Sequence, residues 1–279
     1  MELEPFELSH DHVPAALRLS REAGWNQTTD DWNIFIRNGT VFGLKEADGT
    51  LVATSAILPY EQFGFVAMVL VTADRRGRGF ATRLLETALA ALCDDGLVAV
   101  LDATAAGAAV YRRLGFCPLF DLCRWERLMP VRGPAGPGVI PVTRLTDTAD
   151  VDAFVRLDAA AFGSERRFLH EALLRRTETR AFMSDGDTFL VARRGQRATQ
   201  LGPLVADTEI RAVRLLEASI AVLDGPIFLD VADHCSGIIR WLEAHGFRRQ
   251  RPFHRMAFGR ATAFGDPLRL MASAGPEFG

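Results

Sequence analysis

Val69-Leu70-Val71-Thr72-Ala73-Asp74-Arg75-Arg76-Gly77-Arg78-Gly79-Phe80-Ala81-Thr82-Arg83-Leu84-Leu85 carries the decisive pattern. An apolar, strand-like run ends at Thr72, a small-residue turn comes next, and Ala81, Leu84, Leu85, Ala88 and Leu92 then recur at helical spacing. Strand, glycine turn and helix together aim free backbone N–H groups and the positive end of a helix dipole at one point. An anion such as a phosphate belongs there. Gly77 and Gly79 allow a close backbone approach, and Arg75, Arg76 and Arg78 add positive charge. The loop is neither a Walker A sequence nor a dinucleotide Gly-x-Gly-x-x-Gly.

Further along, the segment from Pro130 to Pro141 holds four prolines and three glycines without periodicity and reads as a linker. The residues after this linker repeat the pattern of those before it. Arg83-Leu84-Leu85-Glu86 returns as Arg214-Leu215-Leu216-Glu217, Leu101-Asp102 as Leu229-Asp230, and Gly115-Phe116 as Gly246-Phe247. Each returns about 130 positions later and in the same order, which argues for two copies of one fold. The loop before the shared helix differs: Thr208-Glu209-Ile210-Arg211 has no glycine. A glutamate there supplies the negative charge that a phosphate would otherwise bring to the helix end.

Arg76-Gly77-Arg78-Gly79-Phe80-Ala81 fits Arg/Gln-x-x-Gly-x-Gly/Ala and resembles the pyrophosphate loop of the GCN5-related N-acetyltransferases, the GNAT superfamily. The chain as a whole resembles the tandem form with a degenerate C-terminal GNAT-like domain. That resemblance implies an α/β fold of two tandem GNAT-like domains, each a mixed, mostly antiparallel twisted sheet flanked by helices. The expected divisions are 1–130 for a catalytic domain, 131–141 for the linker, 142–265 for the degenerate domain and 266–279 for a tail. The implied reaction is direct transfer of an acetyl group from acetyl-CoA to the primary amine of a small molecule in a ternary complex, with no metal. An acyl-CoA sensor without catalysis, or a transferase acting on a peptide or protein, is the alternative.

The resemblance also implies site residues. Val69, Leu70 and Val71 would hold the pantetheine, and Arg76, Gly77, Arg78, Gly79, Phe80, Ala81 and Thr82 would cradle the pyrophosphate. Tyr111, within Tyr111-Arg112-Arg113-Leu114-Gly115-Phe116, would protonate the departing thiolate; a phenol with a reference pKa of about 10 is protonated at neutral pH. Its counterpart in the second copy is Leu242. Asp102 or Glu61 is the candidate base. The stretch Trp25-Asn26-Gln27-Thr28-Thr29-Asp30-Asp31-Trp32 falls where the family builds an acceptor wall. Trp25, Trp32, Asp30 and Asp31 are therefore either substrate contacts or core residues and helix caps.

Composition bounds the rest. The 279 residues are 48% apolar and 24% charged, with a formal net charge of −3, so no global field draws the chain to nucleic acid or membranes. Lys45 is the only lysine among 32 basic residues, so single arginines carry no functional meaning without a motif. Cys93, Cys117, Cys123 and Cys235 form no Cys-x-x-Cys pair, which fits a reducing, cytoplasmic setting. The expected partners are a small amine and at most a second copy of the chain. Local patterns predict a hairpin at Asp48-Gly49, a helix over Ala108–Leu114 and two final strands within Phe116–Met129.

Overall fold

The computed structural model describes residues 3–129, 148–184 and 186–279; the linker expected at 131–141 lies outside them. Two compact units result. The first spans residues 3–101 together with the turn Gly195–Arg197, and the second comprises Asp102–Arg194 and Ala198–Gly279.

In chain order the first unit contains β1 (Phe6–Glu7), α1 (Val13–Glu22), α2 (Thr29–Asn38), β2 (Thr40–Lys45), β3 (Leu51–Pro59), β4 (Phe63–Val71), α3 (Phe80–Asp94) and the first half of β5 (Val98–Thr104). Strands β1 to β5 lie in sequence order, antiparallel except for the parallel pair β4–β5. The expected Asp-Gly turn joins β2 and β3, with Gly49 at φ +86° and the Thr50 amide donating to Asp48 Oδ1 at 2.9 Å. Eight of the nine residues of β3 are buried, because helices cover both faces of the sheet. On one face α3 buries Leu84, Leu85, Ala88 and Leu92. It comes so close to β4 that a Cβ at Gly64 would stand 2.1 Å from Leu92 Cδ2, which is why that strand position has no side chain.

The second unit continues with α4 (Ala105–Arg113), β6 (Phe116–Arg127), α5 (Thr148–Phe162), α6 (Arg167–Leu174), β7 (Arg180–Ser184), β8 (Thr188–Arg194), β9 (Thr199–Val205), α7 (Glu209–Ile220), β10 (Ile227–Ala232), α8 (Ser236–Ala244), β11 (Arg248–Phe258) and β12 (Leu270–Ala272). Its strands run in the order β11-β6-β10-β12-β9-β8-β7. As in the first unit, one pair is parallel: β9 with β10.

Two sequence expectations need correction. Phe116–Met129 was expected to supply two strands, but it forms the single strand β6, because residues 119–127 contain no turn-forming Gly or Asn-Gly pair. Its hairpin-like partner is β11 from the second copy, in register from Phe116↔Phe258 to Glu126↔Arg248, and its other edge pairs with β10. Residues 266–279 do not trail off as a tail. They form β12 and bury Ala274 and Phe278 completely.

Most charged groups buried in the second unit are bonded to one another, whereas Arg127 is buried over the Phe247 ring with no hydrogen-bond partner for its guanidinium among the described residues. Arg124 forks onto Asp230 with Nε and Nη2 each at 2.9 Å, and Gln200 Nε2 donates to the same carboxylate at 3.0 Å. Asp158 accepts from Arg166 at 2.5 and 2.8 Å and sits 2.8 Å from His170 Nε2. Burial alone would raise the Asp158 pKa, but the Arg166 guanidinium and His170 override it and hold the carboxyl well below the usual range.

Removing one partner of such a set leaves a buried charge unanswered. Asp230→Ala is therefore expected to cost about 3–5 kcal/mol in denaturant unfolding, while a paired apolar replacement of Arg124 and Asp230 costs far less. Asp158 binds its proton more weakly folded than unfolded, so its contribution is complete above the unfolded carboxylate pKa and lost as pH falls through the lower folded one. Stability measured between about pH 4 and 2 should fall less steeply in Asp158→Asn than in the parent.

Candidate functional site

Strand β4 does not run straight to its end. Thr54 of β3 pairs with Leu70 and Ala56 with Ala67, so Met68 and Val69 together face the single residue Ser55. This is a β-bulge, and buried Met68 has φ +54°, the only positive φ at a non-glycine residue among the described residues. Thr54 Oγ1 donates to the Met68 carbonyl at 2.8 Å and holds the turned peptide in place. The bulge withdraws peptide groups near Val69 from the ladder with β3. On the opposite edge, pairing with β5 ends at Val66↔Leu101, so Val69, Leu70 and Val71 lie beyond that parallel ladder.

The phosphate-loop candidates come next along the chain. Gly77 and Gly79 have φ +74° and +79°, and Gly79 caps α3 from the left-handed region. Neither glycine has an atom within 4 Å of where a Cβ would stand. The first-turn amides of α3, in Phe80, Ala81 and Thr82, have no partner within the helix and add the positive end of its dipole. Arg76 and Arg78 are exposed, and Arg76 Nε donates to the Val71 carbonyl at 3.2 Å. Arg75, counted with them on sequence, is already engaged by Glu46 at 2.6 Å and Asp74 at 2.6 Å.

One residue that sequence reasoning missed braces this loop. Glu22, the last residue of α1, accepts from the Ala73 amide at 2.5 Å and from Thr72 Oγ1 at 2.8 Å. The Ala73 amide, with the Thr72 hydroxyl, lowers the Glu22 pKa, so it stays ionised and bonded. Nothing in the local pattern of α1 distinguishes Glu22 from an ordinary exposed helical glutamate. The bulge at Met68 was equally silent, because methionine is no signal for a left-handed conformation.

The acceptor-wall candidates divide into two kinds. Trp32 is fully buried and donates from Nε1 to Ser20 Oγ at 3.0 Å. Asp31 is fully buried and closes a capping box, accepting from the Thr28 amide at 2.7 Å and the Thr28 hydroxyl at 3.0 Å. Trp25 is half-buried and Asp30 exposed. The segment Gly24–Gln27 is held by the turn Gly195–Arg197, which belongs to the same compact unit. The Arg197 amide donates to Asn26 Oδ1 at 2.9 Å, Gln196 Nε2 to the Gln27 carbonyl at 2.7 Å, and Arg197 Nη1 to the Gly24 carbonyl at 2.7 Å.

Glu61 is exposed in the loop between β3 and β4. Tyr111 and Asp102 belong to the second unit. Tyr111 lies half-buried on α4, its ring 5.8 Å from that of Phe116, and burial raises its pKa. Thr104 caps α4 by accepting from the Gly107 amide at 3.3 Å. Asp102 gives both oxygens to Arg255, each at 2.8 Å, so its lone pairs are directed at a guanidinium. Among the described residues no group of three His, Cys, Asp or Glu side chains is placed to hold a metal ion, and no helix is long and apolar enough to cross a membrane.

Comparisons with known proteins bear on the family and the fold. Residues 7–116 match the model of the acetyltransferase (GNAT) family, and residues 154–266 match a second acetyltransferase (GNAT) domain model. The uncharacterized N-acetyltransferase YitH of Bacillus subtilis is 21% identical over 258 residues, covering 88% of each chain. A crystal structure from Pyrococcus horikoshii, provisionally named an acetyltransferase, superposes with a TM-score of 0.82 at 17% identity, over 99% of this chain and 96% of that one. A tandem GNAT protein from the clavulanic acid biosynthesis pathway gives a TM-score of 0.66 at 15% identity, over 92% of this chain and 98% of that one. The chain belongs to the GNAT acetyltransferases, a family that uses acetyl-CoA, and carries two GNAT domains in tandem.

Proposed function

We propose that the chain transfers the acetyl group of acetyl-CoA to the primary amine of a small molecule, by direct attack within a ternary complex. The observation that carries this reading is the convergence, in one unit, of the bulged strand β4, the left-handed glycines Gly77 and Gly79, and the free first turn of α3. Family membership supplies the donor; these residues fit it. Bound there, acetyl-CoA brings an acyl group activated as a thioester.

The chain's own groups would do the rest. Amides of Gly77 to Thr82 hold the pyrophosphate, with Arg76 and Arg78 adding charge. Backbone groups of Val69–Val71 orient the pantetheine arm and stabilise charge developing on the carbonyl oxygen, a preorganised arrangement that needs no rearrangement during the reaction. Tyr111 donates a proton to the leaving sulfur; burial raises its pKa, so it stays protonated well into the alkaline range. Glu61, exposed beside the start of β4, and Asp102, held by Arg255, are the candidates to take the amine's proton. Trp25 and Asp30 form the accessible acceptor wall, with Asp30 steering a cationic amine, while Asp31 and Trp32 fix the wall's backbone. The acceptor class draws support from the tandem relative, which comes from the biosynthetic pathway of a small molecule.

Acetyl-CoA at about 100 times its dissociation constant should stabilise the chain by about 2.7 kcal/mol in thermal unfolding. That shift should vanish in Gly79→Glu, whose carboxylate enters the space where the phosphate would lie. A wild-type chain that acetyl-CoA leaves unshifted would remove the transferase reading. In an assay against a panel of primary amines, Tyr111→Phe should lower kcat by at least about 100-fold while leaving the acetyl-CoA shift unchanged. Binding that persists with no amine turned over by either protein would instead establish an acyl-CoA sensor.

A further inference from the structure

Both copies contain a parallel strand pair that starts together and then separates, each first strand leading into a helix. In the first unit β4 and β5 pair from Phe63↔Val98 to Val66↔Leu101 and part. In the second, β9 and β10 pair at Thr199↔Ile227, Gln200↔Phe228 and Leu201↔Leu229 and part in the same way. Peptide groups left facing such a wedge must find partners, since an unpaired buried amide costs about as much as a lost hydrogen bond. We infer that in the second copy residues 269–279 are a resident peptide ligand that fills the wedge corresponding to the acyl-CoA cleft of the first, so that the chain holds one cofactor site and not two.

Strand β12 lies between the two diverging strands. It runs antiparallel to both, with Leu270↔Val205 and Ala272↔Leu204 on one side and Ala272↔Val231 on the other. Flanking bonds extend the contact: the Ala206 amide donates to the Arg269 carbonyl at 3.1 Å, and the Ser273 amide donates to the Asp230 carbonyl at 2.9 Å. The occupant thus offers peptide groups to the strands, the same chemistry as the amides of a pantetheine arm. Its side chains suit the site as well. Met271 packs into the apolar cluster that includes Leu215, Leu216, Ile238 and Leu242 of α7 and α8. The residues beyond are clasped by two buried arginines. Arg193 bonds the Ala274 carbonyl at 2.8 Å and the Glu277 carboxylate, and Arg166 bonds the carbonyls of Phe278 at 2.7 Å and Gly279 at 2.8 Å.

The start of α7, counterpart of the start of α3, is capped from within by Thr208, whose Oγ1 accepts from the Arg211 amide at 3.4 Å. Glu209, at the start of α7, was expected to answer its own helix dipole; its carboxylate in fact reaches the first turn of α8 and accepts from the Ile238 amide at 2.8 Å. It stands against Gly237, where a Cβ would come within 2.9 Å of Glu209 Oε2. Capped helix starts and a strand in place of the amide arm leave the second copy self-liganded.

Amide hydrogen exchange on the intact chain, with and without saturating acetyl-CoA, tests this. The Ser273 and Ala206 amides should exchange within about tenfold of the Leu229 amide, through opening of the whole unit, in the absence of ligand. Exchange at Ser273 about a thousandfold faster than at Leu229 would overturn the inference, because β12 would then be a loosely held flap. With acetyl-CoA, new protection should appear in 69–82 only. Protection gained in 201–206 together with faster exchange in 269–279 would also overturn it, since the cofactor would then displace the strand. Firmly protected β12 with no cofactor effect anywhere would uphold the resident ligand while rejecting the donor site proposed for the first copy.

Discussion

The structure depends on a constraint of backbone chemistry: two parallel strands that part leave peptide groups with no ladder partner, and something must meet them. The first unit brings β4 and β5 apart after Val66↔Leu101 and adds a bulge at Met68 and Val69, turning more peptide groups away from β3. The second unit brings β9 and β10 apart after Leu201↔Leu229 and closes the gap with its own β12. The gap in the second unit is finished as part of a core.

The electrostatics of the two copies divide in the same way. Around Gly77–Thr82 the charges are exposed and the glycines have open space beside them, an arrangement that leaves positive potential for an incoming anion. In the second copy the corresponding turn has Thr208 as cap and Glu209 bonded to Ile238, so its helix ends are already answered. Arginines there face inward, forked onto Asp230 and Asp158. Fully desolvated pairs of this type add little net stability over an apolar core, but they punish any packing that leaves one partner behind. Such residues select one arrangement of the elements they join, and they are unsuited to passing protons to a substrate.

Much of this was legible in the sequence, and the failures have physical causes. The loop Arg76–Ala81, the helix after it, the Asp-Gly hairpin and the repeat were readable because glycine placement and apolar spacing are local signals. The duties of Asp31 and Trp32 were open on sequence, since a capping aspartate and a substrate-steering one look alike until Thr28 and Ser20 are seen beside them. Asp102 looked like a base because its partner Arg255 is 153 positions away. The joining of β6 to β10 and β11, and the entry of β12 between β9 and β10, are long-range pairings that a strand's own residues do not announce.

The exchange of strands bears on how the two copies share work. Strand β6 and helix α4 come from the first copy in sequence, yet they belong to the compact unit built mainly from the second. In that unit β6 is held on both edges, by ten paired positions with β11 and six with β10. Tyr111, carried on the helix just before β6, therefore takes its position from a framework that the second copy largely supplies. In the other direction, the turn Gly195–Arg197 grips the backbone of Gly24–Gln27 in the first unit. A second copy with no phosphate loop and a filled wedge can still be indispensable. It supplies a rigid mount for the proposed acid and a brace for the proposed acceptor wall, and a self-liganded core serves that task better than an open cleft, because no bound cofactor has to complete it.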